Sequence, residues 1–264
     1  MERIAGRVGL VTGRASGIGL AITEALVAAG AQVAMIDWHA DELERESARF
    51  GDAVTRHHLD VTDRAGWATV KGLVEARFGP VEILVNNAGV GPVVGPLADM
   101  TPVSFDRMIS IKLTGTFNGI HAFASGMRDR GDGHIVNTAS IAGLSTIPSL
   151  GAYTAAKFGV VGLSEVLRAE MAPRGVGVSV LCPGLVRTNL GRNSADNVVA
   201  DDGADDSNTM DGGLDPAVVG QQVIDAIRQN DLFVITHPQL RPMVAARTER
   251  LLAAFDSVGD SADR

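Results

Sequence analysis

Tyr153 and Lys157 stand four residues apart in a stretch, 151–172, that carries apolar residues at helical spacing, so a phenol and an ammonium share one helix face. Such a pair can carry protons. A free tyrosine titrates near ~10, too high for easy exchange at neutral pH. A neighbouring cation favours the phenolate and brings that ionisation towards the working range. A tyrosine met alone is more often a buried structural phenol, but this is the only tyrosine in the chain and it has a cation at the right spacing.

A second cluster could hold a phosphate. Residues 8–12 read as a strand that runs through Thr12 into Gly13-Arg14-Ala15-Ser16-Gly17-Ile18-Gly19, which opens a helix. Glycines there let the backbone approach a pyrophosphate, and the helix N-terminus presents N–H groups and a positive dipole end. The spacing is G-x-x-x-G-x-G, not the common G-x-G-x-x-G, so its weight comes from the strand before it and the helix after it. Asp37 ends the next strand. A carboxylate there accepts hydrogen bonds from ribose hydroxyls and repels a 2′-phosphate, which favours NAD over NADP. Arg14 pulls the other way, because a guanidinium near the ribose welcomes a phosphate. Uncharged Ser16 adds nothing for NADP.

The elements that must position these groups follow a regular rhythm. Val- and Ile-rich runs at 8–12, 32–36, 54–59, 82–85, 134–137, 176–181 and 232–236 predict strands. Between and after them, helices are expected at 18–29, 40–50, 64–78, 102–127, 151–172, 216–229 and 240–255, with Thr101 and Pro102 opening the fourth. Alternation of this kind predicts an α/β fold: a doubly wound, Rossmann-type parallel sheet with helices on both faces. With no spacer and no internal repeat, one domain over 1–256 is expected, followed by a frayed tail at 257–264. The segment 191–213, rich in aspartate, is expected to be a mobile substrate lid, with glycine hinges at 184, 191 and 213.

Composition narrows the function. The formal charge is −8, without a basic run, which speaks against nucleic acid. One cysteine, Cys182, points to a reducing compartment. No signal peptide and no apolar run of bilayer length are seen, so a soluble cytoplasmic protein without a membrane partner is expected. The six histidines, His57 and His58 among them, have no metal spacing and read as surface or core residues; the aspartates at 201, 202, 205 and 206 do not fit a calcium loop. No metal site is expected.

Further motifs in order make the chain resemble the short-chain dehydrogenase/reductase family, in its compact form, over about residues 5–190. Asn86-Asn87-Ala88-Gly89 follows the fourth strand, Ser140 ends the fifth, Tyr153-x-x-x-Lys157 lies thirteen residues on, and Pro183-Gly184-Leu185-Val186-Arg187-Thr188 follows the sixth. The resemblance implies a nicotinamide-dependent oxidoreductase. In it Asn87, Ala88, Gly89, Asp60 and Val61 line the adenosine side, and Pro183, Gly184, Val186 and Thr188 the nicotinamide end. Lys157 holds the nicotinamide ribose, Ser140 the substrate oxygen, and Tyr153 takes or returns the hydroxyl proton.

One position departs from the pattern. Relatives carry Asn where Lys112 stands, and that Asn helps to hold a water near the catalytic lysine. Two arrangements are open: Lys112 turned away, its carbonyl still holding the water, which is favoured, or an altered relay. The second would suit a catalytically weak NAD-binding sensor, the alternative reading. A halohydrin dehalogenase would lack the glycine turn and carry Arg at Lys157; an extended-family epimerase would show a different glycine pattern. Pocket walls are expected from Val93, Val94, Ile141, Leu144, Leu185 and Leu190, hence a hydrophobic secondary alcohol or ketone as substrate. The stretch 232–238 looks similar to bacterial relatives that handle bulky aryl alcohols, and oxidation is the expected direction. The family implies a homotetramer or dimer, through surfaces carrying Phe117, Ile120, Phe158, Val161 and Leu163.

Overall fold

The central strands are short and buried on both faces, which only a sheet covered by helices on each side permits. A computed structural model of the chain describes residues 1–13, 17–188 and 212–262, without the side chains of 257–262. Its strands are β1 (Val8–Thr12), β2 (Gln32–Asp37), β3 (Val54–His58), β4 (Ile83–Asn86), β5 (Gly133–Thr138), β6 (Val176–Cys182) and β7 (Phe233–Ile235). They form a parallel sheet in the order β3-β2-β1-β4-β5-β6-β7. The order reverses between β1 and β4, and a crevice opens there at the carboxyl ends of the strands.

Alternation along each strand decides which helix it meets. Val8 and Leu10 of β1, Leu84 of β4 and Ile135 of β5 pack with Trp67, Val70, Phe123 and Leu167. These belong to α3 (Arg64–Phe78), α5 (Gly115–Arg130) and α6 (Gly151–Met171). Val11, Val33, Ile83, Val136 and Leu181 point the other way, to Ile22, Leu26, Leu43 and Val223. Those come from α1 (Gly17–Ala28), α2 (Ala40–Ser47) and α7 (Pro216–Gln229).

Two elements differ from expectation. The helix predicted at 102–127 is α4 (Pro102–Ile109), a π turn (Ser110–Thr114) and α5. The last helix, α8 (Arg241–Ala262), runs seven residues beyond its expected end at 255 and takes up most of the expected tail, since each residue added to a formed helix gains a hydrogen bond without new nucleation. The expected lid lies outside the described residues except for Gly212 and Gly213. Its base is stitched: Arg187 N–H donates to Leu214 O at 3.0 Å and Leu214 N–H to Leu185 O at 2.9 Å.

One buried side chain makes stability depend on pH. His134 of β5 is fully buried, with Nε2 2.8 Å from Ser179 Oγ. Ser179 spends its own proton on Asp231 O at 2.5 Å, so the ring donates through Nε2 and stays neutral. Burial pulls its pKa down to about 3, with the Met1 amino group and Arg168 adding to the effect. Between that value and the ordinary ~6.5 the unfolded chain binds the extra proton, so stability falls as pH drops through this window, by up to about 1.4 kcal/mol per unit. Thermal melts from pH 8 to pH 4 should show a steeper acid decline for wild type than for His134→Gln. Parallel curves would remove His134 as the cause.

Candidate active site

The crevice is a cleft of about 700 Å³ at the carboxyl ends of the central strands. Its floor is a chain of hydrogen bonds that begins at Thr12, where β1 stops. The Thr12 hydroxyl accepts from the backbone N–H groups of Asn87 and Ala88, each at 3.0 Å. Asn87 Nδ2 donates to the carbonyls of Gly13 at 2.9 Å and Thr12 at 3.2 Å, and its Oδ1 accepts from Thr138 Oγ1 at 3.2 Å. Lys157 Nζ donates to Thr138 O at 2.6 Å. The glycine turn and Lys157 are thus joined through two side chains. Behind them, Asn86 Nδ2 donates to Asn137 Oδ1 and Asn137 Nδ2 to Ser164 Oγ, which locks β4, β5 and α6 together.

Two glycines show why the turn accepts no other residue. A Cβ on Gly13 would stand 2.4 Å from Ala88 Cα, and one on Gly17 would stand 2.7 Å from Thr188 Cγ2; both residues have positive φ. The turn leads into α1, whose N-terminus faces the cleft. Ile18 lines the cleft and Gly19 is buried behind it. Arg14 and Ser16 lie outside the described residues. These features form a cradle that suits the pyrophosphate of a dinucleotide. Asp37, Asp60 and Val61 line the far end of the cleft. The Asp37 carboxylate accepts from the His39 backbone N–H at 3.1 Å. Asp60 Oδ1 accepts from Thr62 N–H and Oγ1, both at 2.8 Å.

At the near end, Ser140, Tyr153, Lys157 and Lys112 line one wall. Lys157 Nζ lies 5.7 Å from the centre of the Tyr153 ring and Lys112 Nζ lies 4.8 Å from it. Burial raises the Tyr153 phenol above its ordinary value, and the hydroxyl of Ser140 draws it back. Burial also brings the Lys157 ammonium down to about 8. Lys112 is 3% exposed, so the arrangement favoured from sequence, with this side chain turned away, does not occur. The π turn adds a residue to one helical turn and swings Lys112 inward. Its carbonyl accepts from Thr116 Oγ1 at 2.9 Å. Burial and then the charge of Lys157 hold the Lys112 amine well below the usual lysine range.

The Pro183-Gly184 turn is held by residues that sequence reasoning passed over. Gly184 N–H donates to His237 Nδ1 at 3.2 Å and Thr236 Oγ1 at 3.3 Å. His237 is one of the six histidines without metal spacing, and only contact across the sheet edge marks it. Pro183, Val186 and Thr188 also line the cleft.

Of the expected pocket walls, Ile141 and Leu185 line the cleft. Val93 and Val94 do not: they are 44% and 73% exposed, because the Gly95 N–H to Ser149 O bond turns their loop outward and leaves Val90 and Pro92 facing in. Leu144 packs instead with Val160, Val161 and Cys182, and Leu190 lies outside the described residues. Ile147, Leu150, Leu240 and Met243 complete the wall. Among the expected contact residues, Ile120 and Val161 are core, whereas Phe117 is exposed. Among the described residues no group of three or more His, Cys, Asp or Glu could hold a metal ion, and no helix is long and apolar enough to cross a membrane.

Comparison with known proteins gives this geometry its relatives. Residues 7–198 match the family model described as short chain dehydrogenase. The chain is similar to D-threitol dehydrogenase of Mycolicibacterium smegmatis, 41% identical over 197 residues, covering 74% of this chain and 75% of that protein. It is also similar to 3-alpha-(or 20-beta)-hydroxysteroid dehydrogenase of Mycobacterium tuberculosis, 38% identical over 188 residues, 71% of this chain and 72% of that protein. Among solved structures, a short-chain dehydrogenase/reductase from Burkholderia phymatum in complex with NAD superposes with a TM-score of 0.89 at 28% identity, covering 96% of this chain and 97% of that one. This chain, with its parallel sheet, glycine turn and Ser140, Tyr153 and Lys157 on one wall, belongs to the short-chain dehydrogenase family of oxidoreductases.

Proposed function

We propose that this protein interconverts a hydrophobic secondary alcohol and its ketone with NAD as cofactor, Tyr153 carrying the proton. The observation that carries the reading is a phenol whose ring centre lies 4.8 and 5.7 Å from two amines, beside a serine hydroxyl, at one end of a cleft whose other end holds Asp37. Bound nicotinamide supplies a carbon that takes up or gives back a hydride. Ser140 and Tyr153 hold the substrate oxygen. In oxidation the Tyr153 oxygen takes the hydroxyl proton as the carbonyl forms; in reduction it returns it. Lys157, fixed by its bond to Thr138 O, favours the phenolate by its charge and would hold the ribose hydroxyls of a bound dinucleotide.

The substrate class follows from the wall. Val90, Pro92, Ile147, Leu150, Leu185 and Met243 offer apolar contact, which suits an aliphatic or aryl alcohol and not a sugar phosphate. Reduced-nicotinamide absorbance, followed with NAD⁺ or NADP⁺ and a panel of secondary alcohols, tests the reading. Cofactor binding without turnover across the panel would overturn it in favour of an NAD-binding sensor.

Cofactor choice rests on Asp37, buried at the adenosine end. A 2′-phosphate beside that carboxylate meets a repulsion of about 1.4–2.8 kcal/mol. Asp37→Ser should therefore raise the NADP⁺ to NAD⁺ ratio of kcat/KM by about ten- to a hundredfold. An unchanged ratio would assign the choice elsewhere. We also place the protein in the cytoplasm as a homotetramer of single-domain subunits. The free thiol of Cys182 and the exposed Phe117 and Val166 on α5 and α6 support this; a stable monomer in sedimentation would remove the assembly.

A further inference from the structure

Two amines share the wall of the cleft, and they differ in one respect. Lys157 Nζ has an acceptor, the Thr138 carbonyl. Lys112 Nζ has neither a carboxylate nor a hydrogen-bond acceptor among the described residues. It lies over the face of the Tyr153 ring, and Gly89 closes the other side, where a Cβ would stand 2.8 Å from Nζ. The titratable and charged groups around it are Tyr153 and Lys157 on α6, Cys182 on β6 behind Lys157, and Arg107, Asp60, Asp37 and His39, which line the same cleft. The two carboxylates sit at the adenosine end. Among the described residues nothing in the wall neutralises a second ammonium there.

We propose that Lys112 is the proton store that balances charge in this centre, uncharged while oxidised nicotinamide is bound and an ammonium once that positive charge is gone. The inference rests on the oxidoreductase reading above. A buried amine 4.8 Å from the centre of a phenol ring, with a second amine 5.7 Å from that centre, is costly to charge. The downward displacement of its pKa by burial and by Lys157 agrees. A third positive charge, on the nicotinamide, deepens that cost, and hydride transfer to the ring removes it.

The balance closes. In oxidation the substrate C–H and O–H bonds break and the second C–O bond forms. Two electrons leave with the hydride, which reduces the nicotinamide. The hydroxyl proton goes first to the Tyr153 oxygen and then to the Lys112 amine, which restores the proton-accepting tyrosine. Alcohol, oxidised nicotinamide and amine become ketone, reduced nicotinamide and ammonium, with one positive charge before and one after. A side chain that could not gain a proton would leave the centre to change its charge at every turnover.

Binding heats of NAD⁺ and NADH to the full chain, measured near neutral pH in phosphate and in Tris, count the protons exchanged. NAD⁺ should release up to about one proton that NADH does not. The difference should vanish in Lys112→Met. In Lys112→Arg, whose charge is fixed, NAD⁺ should weaken against NADH by about tenfold or more. Equal proton release for the two cofactors in wild type would overturn the proposal, and so would a difference that persists in Lys112→Met. The wild-type comparison stands even where a variant does not fold. Failure of both cofactors to bind would instead sink the oxidoreductase reading itself.

Discussion

Tyr153→Phe should lose about a thousandfold in kcat, the size usual for removal of a positioned proton carrier, while NADH binding and the melting temperature stay at wild-type values. The change deletes one oxygen and keeps the ring. It is the ring that lies near Lys112 Nζ and Lys157 Nζ, so both amine–ring contacts and the packing of α6 survive. Turnover on the best alcohol, with NADH fluorescence titration beside it, separates chemistry from binding. A variant with wild-type kcat would end the assignment of Tyr153, and one that also lost NADH would show the hydroxyl to be structural.

The second large effect is expected at the glycine turn. Gly13→Val places a branched side chain at a positive φ, 2.4 Å from Ala88 Cα as soon as Cβ is added. Either β1 or the loop after β4 must move, and the Asn87 bonds to Gly13 and Thr12 go with it. Strain of this kind costs about 1–3 kcal/mol, and displaced N–H groups no longer meet a pyrophosphate. Denaturant melts should show that loss of stability, and NADH titration should show affinity down by about a hundredfold or more. Wild-type affinity in a folded Gly13→Val protein would mean that the cofactor binds elsewhere.

Most of the fold was legible because its cues are local. Seven predicted runs became seven strands, each within two residues of its expected bounds, and the central ones are marked most clearly, since a strand buried on both faces is largely apolar. The glycine turn and the Tyr153–Lys157 pair were legible for the same reason: their chemistry needs a fixed short spacing, and spacing is what a sequence preserves. The π turn at Ser110–Thr114 was not. Helical periodicity runs through 102–127 without a break, and one extra residue in a turn leaves no mark in composition. The inward swing of Lys112 depends on that turn, so its place could not be read either. Val93, Val94 and Leu144 have the right character for a wall, but the direction of a loop residue is set by distant bonds such as Gly95 to Ser149. His237 acts on Gly184 from 53 residues away, and no spacing announces such a pair.

That last contact has a consequence for how a protein of this kind diverges. The phenol, the amines and the dinucleotide cradle all come from the first 188 residues, whereas the latch on Gly184 and the outer wall at Leu240 and Met243 come from the stretch past 230. One part of the wall is therefore written on a separate length of chain from the phenol and the amines, while Val90, Pro92, Ile147, Leu150 and Leu185 share theirs. Drift in the later length can retune which alcohol fits without disturbing how its proton leaves, so two descendants can share every catalytic group and yet consume unrelated compounds.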